Sequence, residues 1–242
     1  MDFLLENKMI VGNGMIASEF NLHSEDYVDY LIFASGVSNS KEINKNEFDR
    51  EKKIILEIIN KYKRLKLIYF SSILVEISKN KYYTAKLEIE ELIKTYAANY
   101  IIFRLPQIIG NRGNSNNLVN FLKHSINNDL EIIVYNDVER ALIDIEDLVM
   151  VVNYCKNKIN HEILNFSGIE KLNVIILCNL IGNILNKKPI LKITNDVENN
   201  NWNTKNSDIV NEAIVKINNV EYTNRVLRKY IKNESNNIKF CI

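Results

Sequence analysis

Apolar residues along this chain follow two spacings in turn, one suited to strands and one to helices. Short runs rich in β-branched and aromatic residues at 8–11 (KMIV), 29–34 (DYLIFA), 65–70 (LKLIYF) and 100–105 (YIIFRL) predict buried strands. Between them lie longer amphipathic stretches. Over 46–63, Phe48, Ile55, Leu56, Ile59 and Tyr62 share one helix side, and over 82–96 the core side is marked by Leu87, Leu92, Ile93 and Tyr96. Such alternation predicts an α/β fold, a doubly wound parallel sheet of the Rossmann type. The second half is more broken. It predicts a helix over 118–127 capped by Asn117, strands over 130–135 and 140–145, and a helix over 148–156 opened by Asp147. A strand over 162–166, a helix over 174–185, a strand over 190–193 and a closing helix over 225–231 follow. The Asn-rich stretches 110–117 and 196–207 read as loops, the second of them flexible, and the last ten residues as a fraying end.

Composition narrows the class. With 46% apolar and 25% charged residues among 242, the chain is that of a soluble globular protein. Lys and Arg number 31 against 30 Asp and Glu, so no net field favours a nucleic-acid partner. Cys155, Cys178 and Cys241 have no metal-like spacing, nothing at the start reads as a leader, and no apolar run is long enough to span a bilayer. A cytoplasmic protein with no metal and no membrane partner is expected.

Three stretches carry candidate chemistry. Gly12-Asn13-Gly14-Met15-Ile16-Ala17 follows the first strand and opens a helix. There Gly12 allows a tight turn, Gly14 lets the backbone approach a pyrophosphate, and Ala17 is small enough for helix–strand packing. A phosphate would sit at the positive helix end. Ala34-Ser35-Gly36 begins a small-residue loop at a strand end, where ligands of open α/β sheets bind. Finally, Ser71 and Ser72 end a strand, and Tyr82 and Lys86 follow at i,i+4 spacing on one helix face. One segment is short: about a dozen residues separate the first helix from the second strand, so the adenosine half of a dinucleotide site is trimmed.

Taken in order, GNGMIA (12–17), FASG (33–36), FSSILV (70–75), YYTAK (82–86), FRLPQIIG (103–110), RALIDIEDL (140–148) and NFSG (165–168) resemble the extended short-chain dehydrogenase/reductases. Within them the chain is similar to the NAD-dependent epimerase/dehydratase group that modifies nucleotide-activated sugars. The resemblance runs from Met9 to about Tyr230. It implies that residues 1–110 are a dinucleotide-binding core, and that 111–242 return to it at about 137–170 and add a small substrate-binding lobe. It makes Tyr82 the general acid/base, Lys86 the holder of the nicotinamide ribose and Ser72 the catalytic hydroxyl. NAD or NADP would lie against Gly12, Asn13, Gly14, Met15, Ile16, Ala34, Ser35, Gly36, Tyr82, Lys86 and Leu105. The nucleotide sugar would meet Ser72, Ile73, Gln107, Asn117 and Arg140, with the loop 111–117 closing over it. A homodimer through a four-helix face is also implied.

Physical chemistry agrees with those roles. A tyrosine has a pKa of about 10, and a nearby ammonium is expected to lower it towards a working base. Tyr83 is the rival for the acid role, three residues from Lys86 instead of four. Arg140 is either a diphosphate contact or, like Arg104, an ion-pair partner of a carboxylate such as Asp144 or Asp147. The family's 4,6-dehydratases carry Asp-Glu directly after the catalytic hydroxyl residue. Ile73 and Leu74 stand there in this chain and cannot do acid/base work. That disfavours dehydration, and the short connection from Ser72 to Tyr82 and the small C-terminal portion imply a tight pocket, so the expectation is reduction of a keto-sugar nucleotide, in surface polysaccharide or deoxysugar synthesis. An epimerase is the alternative, and a non-catalytic dinucleotide sensor or assembly protein is the alternative from another class.

Overall fold

Side chains in a strand point alternately to opposite faces, and in the central sheet this alternation sorts the apolar residues into two cores. The computed structural model describes residues 9–78, 80–111, 117–195 and 204–237. Its elements in chain order are β1 (Met9–Val11), α1 (Met15–Leu22), β2 (Tyr30–Phe33), α2 (Lys45–Lys61), β3 (Lys66–Ser72), α3 (Lys81–Tyr96), β4 (Tyr100–Leu105) and β5 (Gln107–Ile109). There follow α4 (Leu118–Asn127), β6 (Glu131–Tyr135), β7 (Glu139–Asp144), α5 (Ile145–Cys155) and β8 (Glu162–Asn165). The chain continues through β9 (Lys171–Asn173), α6 (Val174–Leu185), β10 (Ile190–Thr194), α7 (Asp208–Ile214) and α8 (Tyr222–Asn237). The main sheet is parallel, in the order β1-β2-β3-β4-β8. Two small sheets, β5-β7-β9 and β6-β10, complete the molecule.

Ile32, Ile68, Phe70, Ile101 and Phe103 face one side with Phe20 of α1 and the α5 residues Leu148, Val151 and Val152. Leu31, Phe33, Leu67, Tyr69 and Ile102 face the other with Ile55 and Ile59 of α2 and Ile89 and Ile93 of α3. Each such side chain, fully buried, contributes about 1.5–3 kcal/mol. Helices thus cover both faces, the Rossmann-like arrangement that the alternation predicts.

The order of strands exposes how the fold is trimmed. The steps β1 to β2, β2 to β3 and β3 to β4 all run the same way across the sheet. Yet α1 packs on one face and α2 and α3 on the other. Steps in one direction with helices on opposite faces have opposite hands. The α2 and α3 crossovers follow the near-universal right-handed rule, so β1-α1-β2 is left-handed. A right-handed crossover would have filled the other side of β1, where a full dinucleotide fold keeps its adenosine strands. That side is the sheet edge among the described residues.

Several expectations need correction. The helix after β7 starts at Ile145, not after Asp147, because Asp144 caps it by accepting from the Glu146 N–H at 3.0 Å. On α3 the side facing the sheet is Lys86, Ile89, Glu90 and Ile93, while Tyr96 is 59% exposed and Leu87 and Leu92 are half-buried. Two charged residues interrupt the core stripe, so the apolar pattern pointed to the flank. The three-residue strands β5 and β9 and the helix α7 went unpredicted, and α8 begins three residues before 225. It is tied down by Tyr230, whose hydroxyl donates to Asp144 Oδ1 at 2.6 Å, and by Tyr222, which donates to Asp147 Oδ2 at 2.7 Å. Residues 112–116 of the first Asn-rich loop and 196–203 of the second lie outside the described residues, as does Cys241. Among the described residues no helix is long and apolar enough to cross a membrane.

Candidate active site

The turn after β1 is shaped by a close backbone approach. Gly12 has φ 132°, and a Cβ there would stand 2.4 Å from the Ala34 carbonyl oxygen and 3.0 Å from Ser35 N. The Ala34 N–H in turn donates to Val11 O at 2.8 Å. The turn 12–14 and the loop 34–36 are therefore one surface at the carboxyl ends of β1 and β2. Gly14 is the N-cap residue of α1, with no side-chain cap, no acidic residue in the first turn, and nothing within 4 Å of the position a Cβ would take. Open space in front of free N–H groups suits an anion. Met15 and Ile145 press on Gly110 so closely that a Cβ there would meet both at 2.8 Å, which seats the start of α1 against β5 and α5. Gly12→Ala is expected to cost about 2–4 kcal/mol of stability through strain and collision. Thermal unfolding checks it.

Lys86 is buried beneath that surface with a partner the hydrophobic pattern did not reveal. Its ammonium donates to Glu51 Oε1 at 2.9 Å and to the Tyr69 hydroxyl at 3.1 Å. Tyr69 donates to the same Glu51 oxygen at 3.0 Å, and the Val37 N–H donates to Glu51 Oε2 at 2.8 Å. Glu51 is 1% and Lys86 4% exposed. A Cβ on Gly36 would lie 2.5 Å from Lys86 Nζ and 2.6 Å from Glu51 Oε1, so any side chain there would have to displace the pair. Burial works against both charges. The ammonium, the Val37 N–H and the Tyr69 hydroxyl nevertheless hold Glu51 below the usual carboxylate range. Tyr69, Glu51 and Tyr82 hold Lys86 above its ordinary value.

Lys86 Nζ lies 5.8 Å from the Tyr82 ring centre, and Tyr82 and Tyr83 pack edge to face at 5.0 Å. The two phenols look different ways. Tyr82 feels Lys86 and Glu51, whereas Tyr83 feels Arg140. Burial pushes Tyr83 up to about 12, with Tyr82 adding to the rise and Arg140 opposing it. For Tyr82 the expectation was a pKa lowered by Lys86. The structure gives the opposite direction: burial raises it, the ammonium pulls it down, and the Glu51 carboxylate pushes it back up.

Ser72 ends β3, opposite Leu105 of β4, and its Oγ accepts from the Leu74 N–H at 3.3 Å. Ile73 is buried and packs on Ala141 of β7, and Gln107 begins β5 opposite Leu142. Asn117 is engaged as the cap of α4, accepting from the Asn120 N–H at 2.8 Å. Arg140, half-buried on β7, donates to the Glu139 carbonyl at 2.7 Å; burial lowers its pKa and Tyr83 opposes that. Arg104 does not pair with Asp144 or Asp147. It forks onto Glu90, at 3.1 Å from Nε and 2.6 Å from Nη2, and also bonds Glu76, because its side chain follows the α2/α3 face of the sheet. Sequence reasoning missed Glu51 and Tyr69. The available signal was a carboxylate on the apolar stripe between Phe48 and Ile55, a place where a charge needs a partner.

No protein-family model and no curated protein matches the chain. Solved structures do. The dTDP-glucose 4,6-dehydratase of Bacillus anthracis, in complex with NAD, matches over 93% of this chain and 80% of its own at 16% identity, with a TM-score of 0.67. The UDP-glucose 4-epimerase of Thermotoga maritima, with UDP-glucose, matches over 91% and 81% at 17% identity and 0.66. RMD from Pseudomonas aeruginosa, complexed with NADPH, matches over 93% and 88% at 13% identity and 0.67. The chain has the Rossmann-type parallel-sheet fold of these proteins.

Proposed function

We propose that the chain is an NAD(P)-dependent oxidoreductase acting on a nucleotide-activated sugar, and that its reaction is reduction of a keto-sugar nucleotide with Tyr82 as general acid. The observation that carries this is the Tyr82 phenol beside a Lys86 whose charge is balanced by Glu51. A phenol whose pKa lies above its ordinary value keeps its proton at neutral pH, so the resting site holds a proton to give. Reduction needs that donor. Epimerisation begins with alcohol oxidation and needs phenolate first, so it is the weaker reading. The solved structures of like fold include proteins bound to NAD, NADPH and UDP-sugars, which supports the substrate class.

The residues fit a nicotinamide cofactor, which would supply the hydride. Gly12 to Gly14 and the N-terminus of α1 would take its pyrophosphate, and Ala34 to Gly36 would line its path. Lys86 has three N–H donors and uses two, leaving one for a ribose hydroxyl. Ser72 would orient the sugar carbonyl, and Tyr82 would give its proton to that oxygen. Arg140 would meet the substrate diphosphate. A homodimer through the exposed sides of α2 and α3 belongs to the same reading.

The trimmed edge makes a prediction about the cofactor. Residues 23–29, between α1 and β2, hold a 3-10 turn and no strand, and β2 ends in Phe33 with no carboxylate to take a ribose 2′-hydroxyl. NADH and NADPH are expected to bind within about threefold of one another, a difference under ~0.7 kcal/mol. Calorimetry decides, and a preference above about tenfold would show that an adenosine-side contact survives. Incubation with either cofactor and a keto-sugar nucleotide, followed by loss of reduced-nicotinamide absorbance, tests the activity. Cofactor binding with no turnover on any such substrate would make the chain a non-catalytic binder.

A further inference from the structure

Glu51 comes from α2, Lys86 from α3, Tyr69 from β3 and Val37 from the loop after β2, so four separate segments converge on one carboxylate. Such a construction is more than packing requires. A buried ion pair is often no more stabilising than apolar residues of the same volume, so its presence calls for a role in the site. The charged and titratable groups facing the pair are Tyr69 from the sheet and Tyr82 from α3; Tyr83 looks towards Arg140, and Glu90, one turn on, is taken by Arg104. Among the described residues Glu51 is the carboxylate that pairs with Lys86.

We propose that Glu51 is a positioning residue, whose carboxylate pairs with Lys86 and straps it to the loop at Gly36–Val37, offsetting the charge that Tyr82 faces and biasing the site towards reduction. This rests on the reading of Tyr82 and Lys86 given under Proposed function. The chemistry balances: the carbonyl carbon gains a hydride from NAD(P)H, which leaves as NAD(P)+, the oxygen gains the Tyr82 proton, and tyrosinate recovers a proton from solvent. With Glu51 ionised, Lys86 pulls the phenol towards phenolate less than a lone ammonium would. Without it, an uncompensated ammonium about 6 Å from the ring would pull it down by one to three pH units. The strap also means that cofactor contacts at Gly36 and at Lys86 are set together.

The test reads Tyr82 directly and needs no turnover. Tyrosinate absorbance is titrated in the protein and in Tyr82→Phe, and the difference gives the Tyr82 midpoint; the same pair is then made with Glu51→Gln. The expected result is a midpoint above about 10 in the first pair and at least one unit lower with Glu51→Gln. An unchanged midpoint overturns the proposal. Should Glu51→Gln fail to fold, Glu51→Gln with Lys86→Met, which removes both charges, gives the answer. Tyr82 then keeps its original midpoint if the charges cancel, and titrates higher if the ammonium alone had acted. If the enzyme turns over, Glu51→Gln also speeds the reverse alcohol oxidation relative to reduction and moves the alkaline limb of the reduction profile to lower pH. A purely structural role would slow both directions alike and leave the limb in place. Absence of redox activity with a shifted midpoint would sink the proposed reaction and spare the charge balance.

Discussion

Turnover in Tyr82→Phe is expected to fall by about 10²–10⁴, with the affinity for NADH or NADPH unchanged within about twofold. Only a hydroxyl is removed. The ring keeps its edge-to-face contact with Tyr83 and its place 5.8 Å from Lys86, so the surface from Gly12 to Gly36, proposed to take the cofactor, is untouched. The loss falls on kcat because the proton is needed at the carbonyl oxygen as charge develops there, not on binding. Tyr83→Phe serves as the control. It removes a hydroxyl from the Arg140 side and is expected to alter substrate affinity more than kcat. If Tyr83→Phe were the silent enzyme and Tyr82→Phe the active one, the two roles would exchange.

The second large effect is on stability. Glu90→Ala is expected to cost about 3–5 kcal/mol, because it removes the fork that holds Arg104 and leaves a guanidinium, 8% exposed, without its buried partner. Glu76, at 63% side-chain exposure, bonds the same guanidinium, but solvent screens that pair, and Glu76→Ala should cost only about 0–1 kcal/mol. Urea unfolding of the two variants separates the cases. Equal midpoints would show that the buried fork contributes nothing special. Arg104 lies opposite Ser71 in the β3–β4 ladder, and Ser72 is the next residue, so Glu90→Ala should also disturb the strand end proposed to carry the catalytic hydroxyl. Activity measured well below the unfolding transition reports this.

Much of the sheet was readable from the chain because its central strands are buried on both faces and are therefore nearly continuous apolar runs. The stretches 65–70 and 100–105 correspond closely to β3 and β4. The Gly12 turn was readable for a different reason: a positive φ and a backbone collision leave few alternatives to glycine. The side chains that were misplaced have one common cause. Glu51, Lys86, Glu90 and Arg104 occupy core-facing positions but look like surface residues to a hydrophobic pattern. The pattern therefore misplaced the buried side of α3 and gave Arg104 the wrong partners. Burial of the Tyr82 phenol, with Glu51 offsetting part of the Lys86 charge, likewise reversed the expected direction of its pKa. Three-residue strands such as β5 and β9 carry too little period to be seen, and their pairing with β7 is decided by tertiary contacts. The hand of β1-α1-β2 cannot be read from any local window. The brevity of residues 23–29 hinted at the trimmed edge, and the strand order explains it.

The most direct test of the central claim supplies NADH or NADPH deuterated at the reactive ring carbon together with a keto-sugar nucleotide. Mass spectrometry follows the sugar. The account predicts one deuterium gained at the former carbonyl carbon for each cofactor oxidised, and uptake slowed by about 10²–10⁴ in Tyr82→Phe. An inverted sugar with no net cofactor oxidation, or no label in any product while cofactor binds, would contradict it.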